Sequence, residues 1–479
     1  MKLRLAVGGA VLAALVCAAS AAAFTPSNPF YTRQWYLAQD HAFDAWTAPP
    51  SLVPVKVAVV DSGIDCTLPD FQGRIFATAS FVGGNACTDQ EGHGTIVAGE
   101  IAADLDTDGI VGIAYSAQLL VAKVVAPDGT IPIDAEASAI RWAASEGARV
   151  INLSFGAVRD PADPSLDAYS QKEADAVAYA QRKGALVVAA VGNADEAYAT
   201  PWNYASWPAA LPHVIGVAAL THSGNVPDFS DRDPTYVDLA APGVDIFSTF
   251  PAALTAKQNG CWPQGYTECA SGAYYHPEGT SFAAPQVSAA AAVLFGINPA
   301  LTASQVGWIL ERTADDVNAS TGCTACVAGR DRYSGWGSLD VASAVAVAMG
   351  ASGGYPPPDR YEPNDTIAEA PLLSGAKLNF QATLDYWDDP TDIYRLRLKQ
   401  GATLQASMHA KWKGALVLMT LLNASGGTLL GQASAAGVAQ SFAYRARKAG
   451  VFYVELQDQQ GAGAYLLRLQ TTPPAKPKT

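Results

Sequence analysis

Two hydrophobic patterns divide the chain. Between residues 51 and 350, short β-branched runs alternate with alanine-rich stretches. The runs Val55 to Val60, Leu119 to Val125, Val150 to Leu153, Leu186 to Val191 and Val214 to Val217 read as buried strands. The stretches Asp134 to Gly147, Asp167 to Gly184 and Ser281 to Phe295 read as helices, with Gly147 and Gly184 where helix-ending glycines belong. Strand and helix repeated in this way predict a doubly wound α/β unit, a mostly parallel sheet covered on both faces. Gly350 to Pro358 (GASGGYPPP) breaks the pattern, because three prolines neither continue a helix nor pair in a central strand. Beyond it, short runs with Gly, Asn and Asp between them predict a small antiparallel β-sandwich. They are Tyr394 to Leu398, Thr403 to Met408, Leu416 to Leu422, Phe442 to Arg447, Val451 to Leu456 and Tyr465 to Leu469.

The N-terminus has its own layout. Lys2 and Arg4 precede an apolar run from Leu5 to about Ala19, which ends in Ala21-Ala22-Ala23. That is the arrangement of a bacterial signal peptide, with cleavage expected after Ala23. The apolar core is short for a membrane anchor. Seven cysteines are present, and Cys17 leaves with the signal. The remaining Cys66, Cys87, Cys261, Cys269, Cys323 and Cys326 form an even set, which in an exported chain reads as three disulfides. Fifteen pairings are open, and sequence neighbours favour Cys66–Cys87, Cys261–Cys269 and Cys323–Cys326. Cys323-Thr324-Ala325-Cys326 also has redox CxxC spacing, but no thioredoxin-like pattern surrounds it.

Composition narrows the function. Of 479 residues, 49% are hydrophobic and 15% charged, which excludes a disordered chain and leaves ample apolar material for a large core. The formal charge of −14 argues against a nucleic-acid partner.

Three segments carry candidate chemistry. Asp61 ends the first strand (VAVVDSGID), where open α/β sheets build their sites. His93 stands between glycines at the start of an apolar helix. Ser281 (EGTSFAAPQVSAAAA) starts a long alanine-rich helix, whose unpaired N–H groups suit an oxyanion. Asp, His and Ser are the parts of a nucleophilic triad. Two other classes compete with this reading. A serine esterase of the α/β-hydrolase type lacks support, since no G-x-S-x-G surrounds Ser281. A catalytically dead binding protein is disfavoured by the presence of all the parts.

The segments VAVVDSGID, GHGTIVAGEIAA, VVAAVGN and GTSFAAP resemble those of the subtilisin-like serine proteases, over residues 28 to 348. The resemblance implies a subtilisin-like fold and a secreted, extracellular serine endopeptidase acting on proteins or peptides. It implies Ser281 as nucleophile, His93 as general base and then acid, Asp61 as orienting carboxylate, and Asn193 as oxyanion donor. It also implies that Ser154, Phe155 and Gly156 form the edge that pairs with extended substrate, with Phe155 as a pocket wall. Ile96 and Gln286 stand where many members carry histidines. Only 27 residues precede Asn28, so the chain is expected to fold without a long pro-domain or by another device.

Asp104, Asp106 and Asp108 alternate before Gly109, but the distal Glu of an EF-hand is missing. By resemblance this segment is a structural calcium loop. Asp70 and Asp106 would bind through side chains, and Asp104, Asp108 and Ile110 through carbonyls. Asn28 from the N-terminal arm is the extra candidate ligand. No cofactor is expected for catalysis. Arg360 to Asp365, Asp392-Ile393-Tyr394 and Gly450 to Val454 resemble the bacterial pre-peptidase C-terminal domain. The expected organisation is a signal peptide (1–23), a peptidase domain (24–349), a Gly/Pro linker (350–358), a β-sandwich (359–472) and a tail (473–479). A monomer with no membrane association after signal removal is expected.

Overall fold

The computed structural model describes residues 23–194, 197, 199–255, 274–350, 360–361, 364, 366–385, 391–411, 415–431, 437–458 and 462–474. The expected signal peptide up to Ala22 with Cys17, the pair Cys261 and Cys269, linker residues 351–358, residues Glu362, Pro363 and Asp365, and tail residues 475–479 lie outside them.

Alternation along the strands creates two cores. In β1 (Lys56–Asp61), Val57 and Val59 enter one hydrophobic cluster, while Ala58 and Val60 enter the other. The remaining strands of the sheet are β2 (Ile75–Ser80), β3 (Gln118–Lys123), β4 (Val150–Leu153), β5 (Leu186–Ala190), β6 (Val214–Leu220) and β7 (Leu239–Pro242). Their order is β2-β3-β1-β4-β5-β6-β7, and every pair is parallel. The connection order switches sides at β1, whose carboxyl end therefore opens onto the crevice where such sheets bind ligands.

Helices cover both faces. They are α1 (Tyr36–Gln39), α2 (His93–Ala102), α3 (Ile133–Ser145), α4 (Gln171–Arg182), α5 (Ala252–Thr255), α6 (Ala284–Ile297), α7 (Ala303–Thr313) and α8 (Val341–Ala348). Side chains of α2, α6, α7 and α8 pack in the first core, and those of α3 and α4 in the second. Ser170 caps α4 by accepting from the Glu173 N–H, and Thr302 with Gln305 forms a capping box on α7. Helix α6 is buried nearly all round, as its alanine-rich composition allows. Among the described residues, Thr280–Ile297 is the one helical stretch long and apolar enough to cross a membrane, and it is 89% buried inside the protein.

Strands β2 and β7 carry no strong sequence signal. Both are edge strands, and β2 alternates half-buried and exposed positions rather than forming an apolar run. The helix expected to begin at Ser281 begins at Ala284 instead. A 3-10 turn, Thr280–Phe282, comes first, and Pro285 then suits the first helical turn.

A short antiparallel pair, β8 (Ser248–Thr249) and β9 (Tyr274–Tyr275), lies beside α2. The C-terminal unit holds β10 (Lys377–Asp385), β11 (Thr391–Leu398), β12 (Thr403–Ala410), β13 (Val417–Leu422), β14 (Thr428–Gly431), β15 (Ala439–Arg445), β16 (Gly450–Asp458) and β17 (Ala462–Thr472). Two antiparallel sheets, β10-β17-β12-β15 and β11-β16-β13-β14, enclose their own hydrophobic cluster.

Cys66–Cys87 and Cys323–Cys326 are bonded. The first closes the segment between β1 and α2, across a separation of 21 residues. Replacing both cysteines of this pair with serine is expected to lower stability by about 3 kcal/mol, read from urea unfolding with each protein's own m-value, which should rise as the unfolded chain loses its cross-link.

Candidate active site

Asp61, 2% exposed, ends β1 at the crevice. Its carboxylate meets His93 Nδ1 with both oxygens, at 2.8 and 3.0 Å. The Ser62 N–H also donates to Asp61 Oδ1 at 2.7 Å. His93 is the first residue of α2, and its side chain is 30% exposed. Burial pulls the imidazole pKa down, but Asp61, by charge and hydrogen bond, and then Asp89 and Glu91 outweigh it, and the net shift is upward. The ring accepts a proton more readily than an ordinary histidine and still faces the cleft.

The close approach of α2 to Asp61 demands glycine at position 94. A Cβ there would lie 2.2 Å from the Gly63 carbonyl oxygen and 3.0 Å from the Asp61 Cβ. Asp89 fixes the start of the helix. Buried at 6% exposure, it accepts from the N–H groups of Glu91, Gly92 and Thr95 and from the hydroxyls of Ser62 and Thr95. The Ser62 hydroxyl in turn accepts the Gly94 N–H at 2.9 Å. Lys123, at the end of β3, donates to the carbonyls of Ser62 (2.6 Å) and Thr88 (3.0 Å). Sequence reasoning missed this network. The available signal was a carboxylate four residues before a glycine-flanked histidine.

Ser281 sits in the 3-10 turn before α6, and α6 packs against α2. Its hydroxyl donates to the Ser154 carbonyl at 2.8 Å. Among the described residues, no hydrogen bond joins it to His93. The Ser154 hydroxyl donates back to the Ser281 carbonyl at 2.7 Å. Behind Ser154, Asn152 donates to its hydroxyl and accepts from Ser288 on α6, both at 2.8 Å. Ser154 therefore anchors the serine turn, besides standing on the edge expected to meet substrate. The Phe282 ring lies 5.2 Å from the His93 ring.

Asn193 follows β5. Its Oδ1 accepts from the Thr280 N–H (3.0 Å) and hydroxyl (3.2 Å). A main-chain N–H is donor only, so the amide is fixed with Oδ1 on Thr280 and its Nδ2 group left to serve the cleft. One cleft of about 770 Å³ is lined by Asp61, His93, Asn193 and Ser281 together with Ser154, Phe155 and Gly156. Gln286, where a histidine was noted as usual, donates to buried Glu100 on α2 at 2.9 Å and so ties α6 to α2.

The acidic loop also gathers its candidates. Asn28 Nδ2 lies 3.0 Å from the Asp104 carbonyl, 3.1 Å from Asp106 Oδ1, 2.6 Å from the Asp108 carbonyl and 2.8 Å from the Ile110 carbonyl. Asp70 accepts from the Ile110 N–H and the Tyr274 hydroxyl. Burial raises its pKa, with a further push from Asp108, against its own hydrogen bonds. Among the described residues, no three His, Cys, Asp or Glu side chains form a metal cluster. The donors gathered here are largely main-chain carbonyls.

Asp89→Ala should leave several buried donors without a partner. The expected cost is about 2 kcal/mol or more, with a fall in kcat as His93 loses its register. Urea melts and steady-state kinetics on one preparation read both effects.

Fervidolysin from Fervidobacterium pennivorans is 33% identical over 322 residues, covering 63% of this chain and 42% of that protein. Subtilisin BL from Lederbergia lenta is 36% identical over 267 residues, covering 56% of this chain and 85% of its own. Among solved structures, Sphericase aligns with a TM-score of 0.53 and 30% identity, over 65% of this chain and 99% of its own. A family model described as "Subtilase family" matches residues 54–337 and stops short of the β-sandwich. Matched by that model over more than half its length, the chain belongs to the subtilase family of serine peptidases.

Proposed function

We propose that this protein is a secreted endopeptidase that cleaves proteins through an acyl-enzyme on Ser281. The observation that carries the reading is the convergence of Asp61, His93, Asn193 and Ser281 on one cleft. Rotation about the Ser281 Cα–Cβ bond turns its hydroxyl from the Ser154 carbonyl toward His93 Nε2, a change between staggered rotamers. The oxygen then attacks the scissile carbonyl carbon while Nε2 takes the hydroxyl proton. Asp61 keeps the other ring proton on Nδ1 and stabilises the imidazolium. Asn193 Nδ2 and the Ser281 N–H receive the oxyanion. The imidazolium passes its proton to the leaving amine, and water hydrolyses the ester by the same steps.

Ser281→Ala is expected to lower kcat by about a million-fold, and Asn193→Leu by about 100- to 1,000-fold with little change in KM. Casein and peptide assays, calibrated by a serine-directed phosphonate, check both. Full activity in the serine variant, or failure of the phosphonate to label Ser281, overturns the reading.

Calcium is proposed as a structural ion in the acidic loop. An amide nitrogen carries two hydrogens, so the four oxygens around Asn28 Nδ2 exceed what it can satisfy. Asn28 Oδ1, meanwhile, is buried without a partner. With the amide turned over, oxygen faces oxygen, an arrangement that a hard cation favours. Asp70, Asp106 and Asn28 would hold it by side chains, and Asp104, Asp108 and Ile110 by carbonyls. The ion supplies no chemistry to the cleft and ties the N-terminal arm to the loop. Chelation is expected to lower the Tm; the linkage is about 2.7 kcal/mol at calcium 100 times its Kd. An unchanged melt removes the assignment.

The signal peptide supports export. The β-sandwich is proposed as a separate accessory domain of the pre-peptidase C-terminal type, with no part in catalysis.

A further inference from the structure

The cleft that holds Ser281 contains a second polar centre. Glu136 on α3 and Glu173 on α4 both line it, and they are 5% and 3% exposed. The two carboxyl groups are hydrogen-bonded to each other. Glu136 Oε1 is buried and has no partner. Among the described residues neither glutamate has an ion pair, and no lysine or arginine lines the cleft. Burial, and then Glu173, push the Glu136 carboxyl well above the usual carboxylate range. Burial raises Glu173 too, and the bond from Glu136 opposes that rise. The pair thus presents buried carboxyl oxygens to the cleft, one of them a free acceptor, with no lysine or arginine among the lining residues to meet them.

A buried carboxyl oxygen without a partner is costly and is seldom kept without a use. The surroundings indicate the partner's shape. Ile131, Ile133, Phe155, Tyr169 and Trp207 also line the cleft, so an alkyl stem finds apolar walls and a cationic head finds the acid pair. Lysine and arginine have that build, and an extended peptide presents side chains at regular intervals along such a cleft. We propose that Glu136 and Glu173 form a recognition site for a lysine or arginine side chain of the bound substrate. The site determines specificity rather than chemistry, and it rests on reading the cleft as the seat of peptide hydrolysis.

The test is a set of internally quenched peptides, each with one cleavable bond. Lys, Arg, norleucine, Gln and Glu are scanned through the positions on both sides of that bond. For the full chain, a basic residue at one position is expected to raise kcat/KM about 10- to 100-fold over norleucine. In E136Q/E173Q the ratio should fall close to one. E136L, which fills the site without polarity, should reverse the preference toward norleucine. Phosphonate titration counts folded, active molecules in each preparation. A basic preference that persists in both variants, or no basic preference at any position, overturns the proposal while leaving the hydrolase reading intact. A wild-type chain that cleaves none of the peptides and takes up no phosphonate overturns the hydrolase reading, and this site with it.

Discussion

Everything at the cleft depends on a buried carboxylate meeting a histidine across two elements that are separate in the chain. Asp61 is nearly inaccessible, yet it places a carboxyl group at the end of a hydrophobic strand. A lone carboxylate there would be expensive to bury. Here His93 Nδ1 spans both oxygens, and the Ser62 N–H adds a third contact. The contact exists only because α2 starts very close to β1, so the rest of the site amounts to holding that start in place. Asp89, Ser62 and Lys123 do so by binding the loop's amides and carbonyls together. The Cys66–Cys87 bridge closes the same segment covalently.

The proposed nucleophile is held by a different device. Ser281 lies in a tight turn whose carbonyl and hydroxyl both engage Ser154. Ser154 rests on Asn152, which bonds to Ser288 one helical region further on. A chain of small polar side chains thus runs from β4 through the serine turn into α6. Asn193 is oriented from the neighbouring residue, Thr280. Each group is aimed by second contacts on rigid elements, which is the arrangement catalysis by preorganisation needs. The α2–α6 packing, strengthened by Gln286 on Glu100, brings the two halves together.

Crowded oxygens without enough donors recur in this acidic chain. They appear in the loop around Asn28, and again in the cleft, where the carboxyl groups of Glu136 and Glu173 meet with no lysine or arginine beside them. Both places contain a buried polar atom with no partner. In the loop the surrounding donors are carbonyls suited to a hard cation. In the cleft they are replaced by apolar walls suited to an alkyl ammonium or guanidinium.

Strong local patterns were legible in the sequence. The continuous apolar runs of β1, β3, β4, β5 and β6 marked a parallel sheet, because strands buried on both faces need no alternation. Alternating runs marked the antiparallel sandwich. Asp61 and His93 stood out beside Gly63, Gly92 and Gly94, where tight approaches leave no room for a Cβ, and Ser281 beside Gly279, whose φ of +147° favours glycine. The edge strands β2 and β7, the turn before α6, and the supports Asp89, Asn152 and Ser288 were not legible. None has a local signature, since each is defined by what it meets across the fold. The same is true of Glu136 and Glu173, which in sequence are two ordinary acidic residues near helix starts. Periodicity and spacing, which are properties of neighbours in the chain, were enough to determine the architecture and nominate the reactive groups. Which hydroxyl rests on which carbonyl, and which carboxyl groups meet in the cleft, depended on long-range packing that only the tertiary structure supplies.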